Sequence, residues 1–375
     1  MYYEEKKKNK DKMMMYCFLV VIITLLLVLI LRTETSQVPT VTEYNAQKVN
    51  FDENVEEEKN EEKIASNTTI ADSVKAIVGI SKLKQSGSSI FVNRAEEKLG
   101  LGSGVVITDN GYILTNQHVA GNKYSSCYVT LDDGNTYDGN VVWSDSNIDL
   151  AIVKINKGNL EYLELGDSEG IYLAQDVYAI GNPLGLEFQK TVTKGIISAM
   201  NRTIKLEEEN QNVYMEDLIQ TDATINEGNS GGALIDTNGK LIGINSVKIS
   251  NAEGIGFAVP INIVKPIINR LVSEGKFEEA WLGIYGYDKE AIQYLDSNLE
   301  IENGIYVAQI VENGPLAGLD IKEGDIITQI DDTKLSKMND LKKYIYNKKP
   351  EDMIKLQIQR NGKESTLDVK LAGKT

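Results

Sequence analysis

The chain has 375 residues, of which 42% are hydrophobic, and a formal net charge of −16 at pH 7. A single hydrophobic core rarely grows beyond about 250 residues, so this length predicts two or three domains. The acidic balance argues against nucleic acid as a partner, because phosphate binding requires a basic surface.

The first predicted element is an apolar helix near the N-terminus. Residues 1–12 are polar and lysine-rich, and residues 13–31 carry no charge over a length that spans a bilayer. A cleaved signal peptide is the alternative, but its apolar region is usually shorter and ends in small residues. We therefore predict a single-pass transmembrane signal anchor. Five lysines precede the run and Arg32 alone closely follows it, which predicts a cytoplasmic N-terminus and an extracytoplasmic remainder.

Residues 32–70 have few apolar side chains and include a dense acidic stretch at residues 53–63. Such a composition cannot bury a core, so we predict a disordered linker. An acidic docking site is the alternative interpretation of the same stretch.

Residues 71–260 consist of short β-rich runs separated by turn residues, which predicts a closed barrel or sandwich. The runs form two groups on either side of a break at residues 157–166, so we predict a mainly β fold with two barrels and a site in the crevice between them. The polar segments at residues 185–190, 204–214 and 248–254 are predicted loops near that crevice. The predicted strands are residues 74–80, 104–108, 112–115, 128–131, 140–143, 150–155, 176–180, 191–200, 218–221, 232–235, 241–247 and 256–259.

Ser230 is the candidate nucleophile, in the run Gly-Asn-Ser-Gly-Gly over residues 228–232. A serine hydroxyl needs a base to take its proton and donors to hold the oxyanion that its attack creates. Because Gly228 has no side chain, the N–H groups of Gly228 and Ser230 can point at one spot as an oxyanion hole. A polar, glycine-rich hairpin loop is the alternative.

His118 is the only histidine in the chain and therefore the only candidate base that titrates near neutrality. Asp149 stands at the start of an apolar strand, where a carboxylate can orient an imidazole. The order His118, Asp149, Ser230 is the chymotrypsin order. Alone, His118 is more often a structural histidine and Asp149 a solvated acid. Together with Ser230, they predict a catalytic triad.

Seven short segments between residues 103 and 260 together resemble the high-temperature-requirement (HtrA/Deg) serine proteases. Those enzymes are chymotrypsin-like double barrels followed by a PDZ domain. The resemblance implies a protease domain at residues 71–260, a homotrimer and regulation of the gating loops. The chain departs from the family at Glu227 and Ala233, where proline is usual, so a slightly looser active-site loop is expected. The similar segments are residues 103–107, 111–119, 149–152, 181–185, 221–223, 228–232 and 254–260.

Residues 261–279 carry apolar side chains on one helical face up to Gly275, which predicts a connecting helix with Pro266 in its first turn. Residues 280–372 resemble a bacterial-type PDZ domain. In that interpretation the N–H groups of Leu282, Gly283 and Ile284 hold the carboxylate of a C-terminal peptide, which adds as a strand. A β-sandwich that only packs on the protease is the alternative.

Thr224 lies six residues before the nucleophile, where an acid in trypsin-like pockets selects basic side chains. Its neutral side chain favours cleavage after medium aliphatic residues. The strand Ile244-Asn245-Ser246 is predicted to pair with the substrate backbone, which reads shape rather than sequence.

The sequence thus predicts a membrane-anchored, ATP-independent serine endoprotease that acts on unfolded or damaged extracytoplasmic proteins. No Walker-type run is present, so substrates are expected to be already loose. No cofactor or metal site is predicted, because the only histidine is already assigned. A catalytically inert PDZ receptor or holdase chaperone is the alternative function.

Overall fold

The computed structural model describes residues 69–83, 99–182, 190–208, 211–226, 228–248, 254–294 and 299–374. The predicted N-terminal tail, the predicted anchor at residues 13–31 and the linker up to residue 68 lie outside them. The chain divides into two compact units, residues 1–56 and 57–375, and all described residues belong to the second. None of the helices within the described ranges has the length and apolar character needed to cross a membrane.

The first half of the protease region is a closed barrel with the strand order β1-β2-β3-β6-β5-β4. A helical segment at residues 69–73 and a 3-10 helix at Val74–Ala76 lead into it, so the strand predicted from residue 74 begins three residues later. The short helix α1 (Gln117–Ala120) follows β3. The strands are β1 (Ile77–Leu83), β2 (Leu99–Val106), β3 (Tyr112–Thr115), β4 (Ser126–Thr130), β5 (Thr136–Asp145) and β6 (Leu150–Ile155).

The second half is another closed barrel with the order β10-β11-β12-β9-β8-β7. The inward-facing aliphatic residues of both barrels are almost fully buried, among them Ile113, Ile152 and Leu234. The predicted mainly β fold with β-barrels is therefore confirmed. The strands are β7 (Asp176–Gly181), β8 (Thr191–Glu208), β9 (Gln211–Thr221), β10 (Ala233–Ile235), β11 (Leu241–Lys248) and β12 (Gly256–Pro260).

The prediction of a loop at residues 204–214 was wrong. β8 and β9 continue through this segment as a long hairpin in which Ile204 faces Met215 and Lys205 faces Tyr214. Apolar and charged residues alternate over residues 204–207 on the first arm, and this period of two suits a pleated strand. The other two predicted loops, at residues 185–190 and 248–254, lie almost entirely outside the described residues.

The connecting segment and the C-terminal domain follow. A 3-10 helix (Ile261–Ile263) precedes α2 (Lys265–Glu274), which has Pro266 in its first turn and ends at Gly275 with φ +72°. The main C-terminal sheet has the order β14-β15-β16-β18-β19, so β14 is an edge strand; β17 pairs with β16, and β13 pairs with β20. The elements are β13 (Ala280–Trp281), β14 (Ile284–Tyr287), α3 (Lys289–Ile292), β15 (Ile305–Ile310), β16 (Ile326–Ile330), β17 (Thr333–Lys334), α4 (Met338–Tyr346), β18 (Met353–Arg360), β19 (Lys363–Lys370) and β20 (Ala372–Gly373).

Helix α4 packs the C-terminal domain against the first barrel through Tyr346. The hydroxyl of this buried tyrosine donates to Asp145 Oδ2 at 2.5 Å, and its ring meets Trp143 edge-on with the centroids 5.9 Å apart. Burial raises the pKa of Asp145. The charges of Lys342 and Lys374, together with hydrogen bonds from the Tyr346 hydroxyl and the Asn147 N–H, outweigh burial and hold that pKa below its ordinary value. The contact therefore carries a buried, ionised carboxylate.

A second interdomain contact lies at the base of β9. Asp217 accepts hydrogen bonds from Lys337 Nζ at 2.9 Å and from Asn339 Nδ2 at 3.2 Å. Among the described residues, the neighbouring Glu216 has no hydrogen-bond donor. Burial, together with the charges of Asp288 and Asp217, raises the pKa of Glu216 to about 8, against the opposing charge of Lys342. This carboxyl group is therefore neutral at pH 7.

We predict that replacing Glu216 with glutamine removes part of the pH dependence of folding. An unfolded glutamate titrates near its ordinary value of 4.5, whereas Glu216 in the folded protein keeps its proton up to about pH 8. The unfolded chain therefore releases this proton first, and stability falls as pH rises between those values. Thermal unfolding temperatures measured from pH 5 to 9 should fall less steeply in Glu216→Gln than in the wild type.

The exposed Glu161 provides the matched control. Glu161→Gln should keep the wild-type slope. An equal slope in Glu216→Gln and the wild type would contradict the role of this carboxyl group.

Candidate active site

The three candidate catalytic residues lie where the two barrels meet. His118 is on α1, Asp149 directly precedes β6, and Ser230 lies in the turn before β10. The turn contacts the first barrel directly, because the Ser103 N–H on β2 donates to the Ser230 carbonyl at 2.8 Å. A site formed here takes its base from one barrel and its nucleophile from the other.

His118 and Asp149 form a paired unit. Nδ1 of His118 is 2.8 Å from Asp149 Oδ2, and the His118 backbone N–H donates to Asp149 Oδ1 at 3.0 Å. An ionised carboxylate only accepts hydrogen bonds, so the proton of a neutral imidazole is on Nδ1 and Nε2 keeps a free lone pair. The imidazole side chain is 50% exposed and the carboxylate only 13%. Nε2 is therefore the nitrogen available to take a proton.

Asp149 has a left-handed backbone with φ +51°, which costs free energy in a residue with a side chain. Its carbonyl accepts from Asn116 Nδ2 at 2.9 Å and from the Gln117 N–H at 3.2 Å. These bonds, together with those to His118, hold the unusual conformation. Asn116, which the sequence analysis did not assign, thereby positions the carboxylate, and its place two residues before His118 was the available signal.

Ser246 connects the carboxylate to the second barrel. Its hydroxyl donates to Asp149 Oδ2 at 2.9 Å, across 97 residues of sequence. Ser246 was predicted to bind substrate, and no sequence pattern indicates this side-chain contact. Asp149 Oδ2 therefore accepts from His118 and Ser246 together, one donor from each barrel.

The Ser230 hydroxyl donates to the Ser246 carbonyl at 2.9 Å. Within the described residues, no hydrogen bond joins Ser230 to His118. The structure therefore brings His118 and Asp149 into contact and places Ser230 beside Ser246, with its hydroxyl proton on a carbonyl acceptor. Transfer to the imidazole requires the hydroxyl to leave that acceptor.

The turn around Ser230 leaves no space for a side chain at Gly231. Gly231 has φ +81°, and a Cβ there would lie 2.1 Å from the Ser103 carbonyl oxygen and 2.3 Å from Thr115 Oγ1. Gly228 has φ +96°. Across the described parts of the chain, neither the Gly228 N–H nor the Ser230 N–H has a hydrogen-bond acceptor. Both donors are therefore free, as an oxyanion hole requires.

The predicted substrate-binding residues differ in whether their backbone groups already pair with neighbouring strands. On one side, Ile244 pairs with Val259 and Asn245 pairs with Ala258. On the other side, Ile244 pairs with Ala233. On that same side, the Asn245 carbonyl accepts the Gly231 N–H and its N–H donates to the Gly232 carbonyl. A substrate strand has no free edge at these two residues. The ladder to β12 is interrupted between Asn245 and Lys248, so Ser246 lies outside it, and substrate binding at Ser246 stays a prediction.

Thr224 is exposed, and its carbonyl accepts from Thr193 Oγ1 at 3.0 Å and from Asn229 Nδ2 at 3.3 Å. Of the two departures from the family, Glu227 lies outside the described residues. Ala233 is buried and pairs with Ile180 and Ile244. The parts of the chain that the structure describes contain no cluster of three or more His, Cys, Asp or Glu side chains suited to a metal ion.

The predicted carboxylate-binding segment begins the edge strand β14. Leu282 is buried, Gly283 has φ +80° and Ile284 is half-buried. The Gly283 carbonyl accepts from the Val311 N–H at 2.9 Å. These residues line a cavity of about 550 Å³ whose other walls include α4 and residues Tyr214 and Glu216 of the protease. Carboxylate binding by this segment stays a prediction.

Two family descriptions match the chain: the trypsin-like peptidase domain at residues 102–244 and the PDZ domain at residues 282–371. The chain is 40% identical to the serine protease Do-like HtrA of Lactobacillus helveticus over 77% of this chain and 72% of that protein. It is 37% identical to the serine protease Do-like HtrA of Bacillus subtilis (strain 168), over 84% and 74%. The solved structure of the HtrA-type protease AlgW with a tripeptide has a TM-score of 0.61 at 34% identity, over 83% of this chain and 97% of that chain.

We predict that Gly231→Ala abolishes the reactivity of Ser230, because the new Cβ forces the turn away from Ser103. Gly134 is a matched control, since it has the same φ of +81° with no atom within 4 Å of a Cβ. Gly134→Ala should cost about 1–2 kcal/mol of stability and keep activity. Labelling of the folded variants by a fluorophosphonate probe measures the difference.

Labelling of Gly231→Ala at the rate of Gly134→Ala would contradict this prediction. It would show that the turn tolerates displacement from the first barrel.

Proposed function

Since the chain belongs to the HtrA/Deg family of trypsin-like serine endoproteases with a C-terminal PDZ domain, we propose that it cleaves misfolded or damaged proteins outside the cytoplasmic membrane without ATP. The inert receptor or holdase is set aside, because the relatives are serine proteases. The observation that carries the catalytic proposal is the pairing of His118 Nδ1 with Asp149, which leaves Nε2 free at the crevice.

In the proposed mechanism, His118 Nε2 takes the proton of the Ser230 hydroxyl as its oxygen attacks the scissile carbonyl carbon. Asp149 holds the imidazole tautomer and stabilises the imidazolium that forms. The oxyanion receives hydrogen bonds from the N–H groups of Gly228 and Ser230. The imidazolium then gives its proton to the leaving amine, and water releases the acyl group by the same steps in reverse.

The hydrogen bond from Ser230 to the Ser246 carbonyl suggests how substrate starts this sequence. A substrate strand that joins β11 at Ser246 offers a backbone N–H to the same carbonyl. Competition for this acceptor frees the Ser230 hydroxyl for His118. Substrate alignment and activation of the nucleophile are then one event.

For specificity, we propose cleavage after medium aliphatic residues such as valine, alanine or leucine, because Thr224 supplies no charge to pair with a basic side chain. An extended backbone is required to join β11, so substrates are unfolded segments. At the PDZ domain, the edge strand β14 suits a C-terminal peptide added as a strand, with its carboxylate at Leu282, Gly283 and Ile284.

We further propose that residues 13–31 anchor the protein in the cell membrane as a single pass, with the N-terminus cytoplasmic and the catalytic domain outside. The homotrimer that the family resemblance implies is retained as part of this proposal. In this arrangement the acidic linker sets the distance between the protease and the membrane.

We expect Ser230→Ala to abolish casein cleavage while keeping the wild-type unfolding temperature. The exposed Ser273, whose hydroxyl bonds only the Asn269 carbonyl on α2, supplies the matched control Ser273→Ala with wild-type turnover. Mass spectrometry of the wild-type products, with and without a hydrophobic C-terminal peptide, should map cuts after aliphatic residues. Turnover of Ser230→Ala within tenfold of the wild type would refute the assignment.

We expect the full chain to sediment with membranes and to stay there after alkaline extraction, because an uncharged run of this length spans the bilayer. A chain lacking residues 1–32 should be released. Digestion of intact cells with their outer layers removed, using an added protease, should degrade the catalytic domain. Recovery of a membrane-free species cut just after residue 31 would instead support a cleaved signal peptide.

A further inference from the structure

Ser103 lies where residues 228–232, which form the nucleophile turn around Ser230, meet the first barrel. It lies on β2, is fully buried, and uses all of its polar groups. Its hydroxyl donates to the Gly228 carbonyl at 2.5 Å and accepts the Asn182 N–H at 2.6 Å. Its backbone N–H donates to the Ser230 carbonyl at 2.8 Å, and its carbonyl accepts from Thr115 Oγ1 at 2.6 Å. One small side chain therefore joins β2, the end of β7 and the nucleophile turn.

We propose that Ser103 is a positioning residue for catalysis, whose hydroxyl holds the Gly228–Asn229 peptide plane so that the Ser230 N–H of the next plane points at the oxyanion. The inference rests on Ser230 being the nucleophile. It concerns a residue on the other barrel that touches neither the substrate nor the reacting atoms.

The peptide planes of the turn show how the contact acts. In the Gly228–Asn229 plane, the carbonyl bonds Ser103 Oγ and the N–H bonds the Asn226 carbonyl at 2.9 Å. In the Ser230–Gly231 plane, the carbonyl bonds the Ser103 N–H and the N–H bonds the Asn245 carbonyl at 2.8 Å. Each of these planes is held at both ends, and Ser103 supplies one end of each.

Among the described residues, the plane between them, Asn229–Ser230, is held only through its carbonyl, which accepts the Gly232 N–H at 2.9 Å. The Ser230 N–H of this plane is left for a ligand. Its direction is therefore set by the two neighbouring planes. Hydrogen bonds that are already oriented stabilise a developing charge without reorganisation during the reaction.

Gly228 explains why a side chain from elsewhere is needed. With φ +96° and no Cβ, its backbone is little restrained by local sterics. Without the Ser103 hydroxyl, the Gly228 carbonyl loses its buried donor and this plane is held only by the Asn229 N–H, which bonds the Asn226 carbonyl. Rotation of this plane tilts the Asn229–Ser230 plane that follows it and turns the Ser230 N–H away from the oxyanion position, while β11 stays in place.

The test is Ser103→Ala in the full chain, assayed with a peptide substrate. Losing one oxyanion donor lowers kcat by about 10²–10³-fold, and a loosened donor should approach the lower figure. KM should change by less than about threefold, since ground-state binding uses other groups. The control Ser73→Ala removes another buried serine hydroxyl, which donates to the Thr69 carbonyl at 2.9 Å, and its kcat should stay within twofold of the wild type.

A second measurement separates positioning from general loss of structure. A peptide boronic acid forms a tetrahedral adduct with an oxygen at the oxyanion position, so its affinity should fall in Ser103→Ala in parallel with kcat/KM. The same peptide with an unreactive carboxamide end should bind equally to both proteins. Ser103→Cys, which keeps a weak donor, should give an intermediate kcat, and it carries the test if the alanine variant fails to fold.

A kcat of Ser103→Ala or Ser103→Cys equal to that of Ser73→Ala would overturn the proposal. So would unchanged boronic acid affinity, or a loss of activity that lies entirely in KM. These failures are distinct from failure of the proposed catalytic assignment, which would show as turnover in Ser230→Ala.

Discussion

The carboxylate of Asp149 is the group on which the site depends. It is little exposed and accepts the His118 ring and backbone N–H from the first barrel and the Ser246 hydroxyl from the second. A desolvated charge that loses its donors is costly, so these three contacts stabilise one another and hold the two barrels in one relative position. The left-handed backbone of Asp149 persists only because neighbouring residues bond both its carbonyl and its side chain.

The backbone of the nucleophile turn is likewise held by contacts from other parts of the chain. Gly231 lets the chain approach β2 more closely than any side chain permits, while Gly228 leaves the turn locally unrestrained. The restraint comes from groups outside residues 228–232, namely Ser103, Asn245 and Asn226, which bond the peptide planes on either side of the Ser230 N–H. Close approach and orientation are thus supplied by different parts of the chain. In the proposed mechanism, this turn presents the Ser230 N–H to the oxyanion without rearrangement.

The PDZ domain contacts the protease domain through acidic side chains of the protease. Helix α4 lines the groove beside β14 and also carries Tyr346 to Asp145 and Asn339 to Asp217. Within the part of the chain that the structure describes, the interface therefore contains an ionised carboxylate with good donors, Asp145, and a neutral one without a donor, Glu216. Paired and unpaired acids in one interface make its stability respond to pH in a way that an apolar interface does not.

The sequence by itself determined the identity of the candidate catalytic residues and the nature of the fold. A chain with one histidine leaves no choice of base, and alternating apolar residues with turn signals are local patterns that suffice to predict barrel strands. Tertiary structure alone decided which groups hold these residues in place. Ser103 and Gly228 are 125 residues apart and Ser246 and Asp149 are 97 apart, so no local pattern records their contact. Such pairings depend on how the closed barrels pack, which also decided that the Ser230 hydroxyl donates to the Ser246 carbonyl.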